Sequence, residues 1–249
     1  MKILLFDIEN SPSSGLFYEL WKEGNIVSIE KQWYLLSFAY KWLGEKKTHV
    51  ISLPDFKLYK KDKENDRDLV KALHEIMSEA DVVIAHNGNN FDIKKSNARF
   101  IFHGLKPTTP FKSIDTLQVA RRYFQFTSNR LNDLGVYLGL GKKLKTGGFD
   151  TWKGCMNGDM KAWKLMCEYN KQDVVLLEKI YLTMLPWIQN HPNVNILDER
   201  VGACPNCAST KIIKRGYGIT LTTKYPRYRC TDCGRWSRGK AIKTEVVIR

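Results

Sequence analysis

The stretch KILLFDIENSP, residues 2–12, is an apolar run with the character of a buried strand, and it ends in two carboxylates, Asp7 and Glu9. Side chains alternate along a strand, so these two acids share a face and repel each other across one pleat. Burial raises that cost further. A third acid in a similar setting is Asp92, in HNGNNFDIK. It follows the strand-like DVVIA and opens a helical segment, where the helix dipole favours a carboxylate. EYNKQDVVLLEKI supplies Tyr169 and Asp173, spaced i,i+4 and therefore one turn apart on one helix face. Taken singly, each has a plain structural alternative: a solvated pair at a strand end, a helix cap, an exposed aspartate beside a half-buried tyrosine.

The cysteines make a second constellation. CPNC (Cys204, Cys207) and CTDC (Cys230, Cys233) give the spacing C-x2-C-x22-C-x2-C. Each pair suits a tight knuckle that turns two thiolates toward one ion, and two knuckles make a tetrahedral four-cysteine zinc site. A redox C-x-x-C is the alternative, but two matched pairs in one short segment favour Zn²⁺. Four protein ligands leave no open position for water, so the ion is expected to be structural. Gly234 suits the second knuckle, whereas Ala208 is a small departure in the first. Between the pairs lies hairpin material rich in Thr, Tyr and Ile, and residues 201–240 resemble a zinc ribbon. Cys155 and Cys167 lack metal-ligand spacing and read as ordinary thiols, the first in a loop and the second on a helix.

The elements that must position these groups follow from pattern. WYLLSFAYKWL (33–43) and THVISL (48–53) read as strands. KLYKKDKENDRD (57–68) reads as a loop leading into the helix LVKALHEIMSEA, and DVVIAHN (81–87) as a short buried strand. FDIKKSNARFIFHG continues as a helix ending near Gly104, with Phe91 assigned to the core. SIDTLQVARRYF and NRLNDLGVYLGL read as two more helices, and GKKLKTGGFDTWKG as a basic, glycine-rich loop. A long helix follows from about Asp159 to Trp187, then a polar, proline-containing linker over 190–200. The expected fold class is α/β: a mixed sheet flanked by helices, with a small β domain behind it.

Composition narrows the partners. No stretch approaches the ~20 apolar residues of a membrane span, and the N-terminus lacks a signal-peptide layout. A soluble, cytoplasmic protein is therefore expected, and in that compartment cysteines serve metals more often than disulfides. The formal charge of +14 is uneven: residues 201–249 carry eleven Lys/Arg against two acids. A strongly basic tail on a nearly balanced body points to a polyanion, with a merely solvated surface as the alternative. Arg227, Arg229, Arg235 and Trp236 belong to a run that interleaves cations, which neutralise phosphates, with rings, which can stack on unpaired bases; the plain alternative is that the rings build the small ribbon core and the cations are solvated. Lys142, Lys143 and Lys145 are placed along a substrate groove in the same way, as are Asn10 and Asn87 beside the acids.

FDIE, then N-x-x-x-F-D (Asn87 to Asp92), then Y-x-x-x-D (Tyr169 to Asp173) resembles, in that order, the three motifs of the DEDD, or DnaQ-like, exonucleases. The tyrosine resembles the DEDDy branch; the other branch carries histidine there. The resemblance spans about residues 1–187 and implies an RNase H-like sheet with helices on its faces. It implies two divalent ions, Mg²⁺ or Mn²⁺, hard cations that prefer oxygen ligands. Asp7 is expected to bridge them, with Glu9 and Asp173 completing one site and Asp92 supporting the other. Tyr169 is expected to orient the attacking water, because a free phenol, with a pKa near ~10, is a poor base at neutral pH. Two ions ~3.5–4 Å apart can clamp the attacking and leaving oxygens of a phosphoryl displacement.

These expectations combine into a metal-dependent 3′-5′ exonuclease, DNA favoured over RNA, of a compact layout like that of phage-encoded nucleases. The domains are expected at 1–188 and 201–249, joined by a linker at 189–200. Two alternatives stay open: a non-catalytic nucleic-acid-binding module on a nuclease fold, and a structure-selective endonuclease on the same fold.

Overall fold

The apolar run that ends in the two acids forms strand β1 (Ile3–Asn10), fully buried from Leu4 to Phe6 in the computed structural model, which describes residues 1–18 and 26–242. Residues 243–249 of the expected ribbon domain lie outside the described residues. A short antiparallel pair, β2 (Ser14–Leu16) against β3 (Ser28–Lys31), follows β1 and is not expected from the sequence. β4 (Leu35–Trp42) and β5 (His49–Ser52) are the two expected aromatic and β-branched strands. β4 pairs antiparallel with both β1 and β5, setting Asp7 opposite Ala39 and Glu9 opposite Ser37.

Helix α1 (Arg67–Ser78) turns Leu69, Val70, Leu73 and Met77 inward, each worth roughly 1.5–3 kcal/mol when fully buried. Strand β6 (Val82–Ala85), helix α2 (Asp92–Phe102) and strand β7 (Lys112–Asp115) come next. β6 runs parallel to β1, and β7 parallel to β6. Parallel neighbours cannot be closed by a tight turn, and α2 supplies the crossover. The sheet order is therefore β5-β4-β1-β6-β7, a mixed sheet. Leu4, Phe6 and Ile8 join one core with Phe38, Leu69, Leu73, Met77 and Phe100. Alternation sends Asp7 and Glu9 to the other face.

Helices α3 (Thr116–Tyr123), α4 (Leu131–Tyr137), α5 (Phe149–Asn157) and α6 (Met160–Met184) complete the helical set. The structure departs from the sequence expectation at three places. Ser113–Asp115, expected to open a helix, belong to strand β7, because β6 offers them a parallel partner. The stretch read as a glycine-rich loop becomes helical from Phe149, and Cys155 is a fully buried residue of α5. Phe91, expected in the core, is 39% exposed.

Two compact units divide the chain. The first, Lys2–Arg121 with Gln125–Ile180, holds the mixed sheet. The second takes Met1, Arg122–Phe124 and Tyr181–Arg249. Within it, a 3₁₀ turn (Leu185–Trp187) precedes the antiparallel strands β8 (Ile212–Ile219), β9 (Lys224–Cys230) and β10 (Trp236–Arg238), ordered β10-β9-β8. Asn206 Nδ2 and Arg235 Nη1, one from each knuckle, donate to Leu185 O and Pro186 O at 2.9 Å. The four cysteines and the small antiparallel sheet fit a zinc ribbon.

Candidate active site

β6 stops at Ala85, and its pairing with β1 ends at Leu5 opposite Ile84. The second half of β1 is thus left without a strand on that side, and α2 fills the gap: Ile8 N–H donates to Asp92 Oδ1 at 3.1 Å. The turn between β6 and α2 makes this possible. Asn87 takes a left-handed φ of 65°, and Gly88 lies so close to Ala85 that a Cβ would meet the alanine Cβ at 2.4 Å. Asp115 pins the turn by accepting from the N–H groups of Asn87 and Asn89 at 2.9 and 3.2 Å, so its role is structural. His86 bonds Thr116 Oγ1 at 2.9 Å, and burial pushes its pKa down to about 4.

From the other face, α6 brings Tyr169, Asn170 and Asp173 to β1. Carboxylate oxygens of Asp7, Glu9 and Asp173 lie within 4.8 Å of one another. Asp92 sits next to this trio through its bond to Ile8, outside the 4.8 Å group. Asn170, fully buried, was not anticipated: its Nδ2 donates to Asp7 Oδ2 at 2.6 Å and its Oδ1 accepts from Ser37 Oγ at 3.0 Å. It locks Asp7, β4 and α6 together. Its only sequence signal is its position three residues before Asp173, on the same helix face. Tyr169 packs edge-on against Trp152 of α5 at 5.8 Å between ring centroids.

The loop before α5 delivers Lys143 into the acids: its Nζ is 2.5 Å from Asp173 Oδ2 and 2.9 Å from the Tyr169 hydroxyl. Lys142 and Lys145 stay exposed, lining with Lys143 and Lys171 a cleft of about 610 Å³. A second cleft of about 640 Å³ shares Lys143 and is lined by His86, Asn87, Arg121 and Arg130. Asn10 is half-buried, its Nδ2 bonded to Ser11 O at 2.6 Å.

One ammonium against four acids leaves the charge unbalanced. Burial, then the charges of Asp92, Glu9 and Asp173, holds the Asp7 carboxyl well above the usual range. Burial, then Asp173, pushes Glu9 up to about 8. Asp92 rises to about 7 through burial, although the Ile8 N–H bond pulls it down. Asp173 is raised by burial despite Lys143 beside it. Burial would lower the Lys143 ammonium, but the Asp173 charge and the bonds to Asp173 and Tyr169 outweigh it and hold the pKa high. The Tyr169 phenol, buried and close to Asp173, is pushed up to about 12. Burial and like charge thus disfavour the ionised form of these carboxyls, and a bound cation would reverse that penalty. The donor set is all oxygen, and Asp173 Oδ1 is buried without a hydrogen-bond partner, so the residues fit hard divalent ions.

In the second unit the four cysteine sulfurs also converge within 4.8 Å, with Cys204 Sγ 3.6 Å from Cys233 Sγ and Cys207 Sγ 3.7 Å from Cys230 Sγ. A tetrahedral site with Zn–S near ~2.3 Å places its sulfurs about 3.8 Å apart, whereas a disulfide would need about 2.05 Å. The geometry therefore fits zinc. Ala208 and Gly234 occupy equivalent knuckle positions with φ of 58° and 78°. Arg227, Arg229 and Trp236 are exposed on the ribbon, while Arg235 is half-buried.

A family model described as the RNase_H superfamily matches residues 29–185, most of the chain. The chain belongs to the RNase H superfamily. The match begins after β1, so Asp7 and Glu9 are assigned to this RNase H-like fold by their pairing with β4 and α6. The solved structure of the family B DNA polymerase from the hyperthermophilic archaeon Pyrobaculum calidifontis is similar, with a TM-score of 0.57 and 17% identity over 75% of this chain and 25% of that one. The RNase H-like chain thus spans about a quarter of that polymerase, and the likeness is one of fold. No curated protein matches it. Among the described residues no helix is long and apolar enough to cross a membrane.

Proposed function

We propose that the chain is a metal-dependent 3′-5′ exonuclease of DEDDy type, acting on DNA in preference to RNA, with a zinc ribbon that holds the nucleic acid. The observation that carries this reading is the meeting of Asp7, Glu9 and Asp173 within 4.8 Å, with Tyr169 and Lys143 beside them. Mg²⁺ or Mn²⁺ held by Asp7, Glu9 and Asp173, with Asp92 in support, would neutralise the acids, activate water and stabilise charge on the phosphate.

The chain's own groups have distinct tasks. Asn170 fixes the rotamer of Asp7, and Ile8 N–H fixes Asp92. Tyr169, with a phenol near 12, keeps its proton at neutral pH and orients a water by hydrogen bonding. Lys143, held against Asp173 and Tyr169, would set a positive charge beside a phosphate bound at the acids, the kind of preorganised contact that lowers a barrier. The ribbon's contribution is tethering: a bound strand is held at high local concentration.

The test uses single strands labelled at the 3′ or the 5′ end, as DNA and as RNA, together with a circular single strand. Immediate loss of the 3′ label alone, dependent on Mg²⁺, is the expected result. A structure-selective endonuclease is the second reading, because two clefts, of about 640 and 610 Å³, both reach Lys143 beside the acids. Cleavage of the circle would establish that reading and overturn the exonuclease.

A further inference from the structure

Within the second unit a cleft of about 550 Å³ lies where the 3₁₀ turn after α6 meets the ribbon sheet, lined by Tyr123, Trp187, Gln189, Arg229 and Trp236. Its two tryptophans are half open, Trp187 at 51% and Trp236 at 49%. A single exposed indole is ordinary, but here two flank one cleft and make a shared aromatic surface. They come from different places: Trp236 from β10, Trp187 from the turn outside the ribbon. The Asn206 and Arg235 bonds to Leu185 O and Pro186 O fix that turn against both knuckles, so the two rings are held by one rigid set of contacts. The edge of Phe124 packs on Trp187 at 5.5 Å between centroids.

The surroundings decide the occupant. Trp236 pairs directly across from Arg229, and Arg238 from Arg227, so these four share one face of the sheet. All four are exposed, and none of the three arginines has a carboxylate partner among the described residues. Arg227 Cζ stands 5.7 Å from the Trp236 ring centre. An apolar peptide would satisfy the rings and leave the arginines idle. A duplex would satisfy the arginines and offer no open base face to the rings. An unpaired strand uses both, with bases on the indoles and phosphates on the arginine row.

We infer that this cleft is a single-stranded nucleic-acid site in which Trp187 and Trp236 stack on unpaired bases while Arg227, Arg229 and Arg238 follow the backbone. It deepens the reading of the ribbon as the holding module, and rests on it only for the polyanion class of the substrate. It makes the preferred substrate a strand with an unpaired tract, and it places one essential ring, Trp187, outside the ribbon itself.

The test is fluorescence anisotropy with the full chain, zinc-loaded and without added Mg²⁺ or Mn²⁺. The probes are a thymidine strand of about 12 nucleotides, its abasic counterpart and a blunt duplex. Trp187→Ala and Trp236→Ala should each weaken binding of the thymidine strand on the order of tenfold, the loss of one stack, and change abasic binding less than about twofold. Trp187→Phe should recover most of the affinity, and zinc content reports folding of every variant. Arg229→Gln should weaken all three probes and reduce the salt slope by about one phosphate. Unchanged thymidine-strand affinity in both alanine variants, or equal losses on the abasic strand, would overturn the site. Hydrolysis of thymidine 5′-p-nitrophenyl phosphate by the parent protein reports the acid site separately. Its absence would count against the nuclease reading and leave the binding comparison intact.

Discussion

Replacing Asn170 with alanine removes an amide that makes bonds to Asp7 Oδ2 at 2.6 Å, Asp7 O at 3.2 Å and Ser37 Oγ at 3.0 Å, at a fully buried position. With the Asp7 carboxyl held protonated by burial and its acidic neighbours, all three bonds are neutral and contribute ~0.5–1.5 kcal/mol each, with a further cost for the buried groups left unpaired. These contributions overlap because they share one side chain, so a loss of about 2–4 kcal/mol is expected for Asn170→Ala. Urea unfolding without divalent metal measures it. Asn170→Asp sharpens the test by adding a fifth carboxyl against Asp7. An acid raised by burial and like charges favours the folded state only while protonated. The aspartate variant should therefore lie closer to the parent at pH 5 than at pH 8. A change below about 0.5 kcal/mol for alanine, or a pH-independent effect for aspartate, would refute the claim that Asn170 positions Asp7.

Three further outcomes follow from the same geometry. Glu9 and Asp92 have folded pKa values of about 8 and 7, above their ordinary values near ~4, so the stability they contribute is complete below about pH 4 and lost as pH rises through 7–8. The metal-free protein should melt at lower temperature at pH 8 than at pH 5, and Mg²⁺ should close most of that gap in a thermal scan. Ala208, with a left-handed φ of 58°, carries strain that glycine would not, so Ala208→Gly should stabilise the ribbon by about 0.5–1 kcal/mol, read from its unfolding in chelator. Zinc analysis should give one ion per chain, and Cys230→Ser should lose it together with the near-ultraviolet circular dichroism of the ribbon tryptophan.

The acids and the cysteines were legible because their chemistry restricts residue type at fixed spacing: two acids on one strand face, Tyr169 and Asp173 one turn apart, paired cysteines in knuckles. The strands β1, β4, β5 and β6 declared themselves by apolar and β-branched runs. β7 did not, since four residues of KSID run into α3 without a break and only the β6 edge makes them a strand. α5 was hidden by the glycines that precede it, and with it the Trp152 ring that braces Tyr169. The sequence offers Lys143 only as one of several groove lysines, because nothing in GKKLKTGG says which ammonium turns toward Asp173. Asn170 and Trp187 owe their roles to contacts with residues far away in the chain, which no local pattern records.

The proposed activity requires Asp7, Glu9 and Asp173 to act as one cation site for phosphodiester hydrolysis. The most direct measurement is Mn²⁺ binding by calorimetry, alongside nucleotide release from a 3′-labelled strand, for the parent, Asp7→Asn and Asp173→Asn. The parent should bind Mn²⁺ and release nucleotides only when it is present, and both variants should lose the heat and the release together. Release at the parental rate by either variant, or Mn²⁺ binding that both leave untouched, would contradict it.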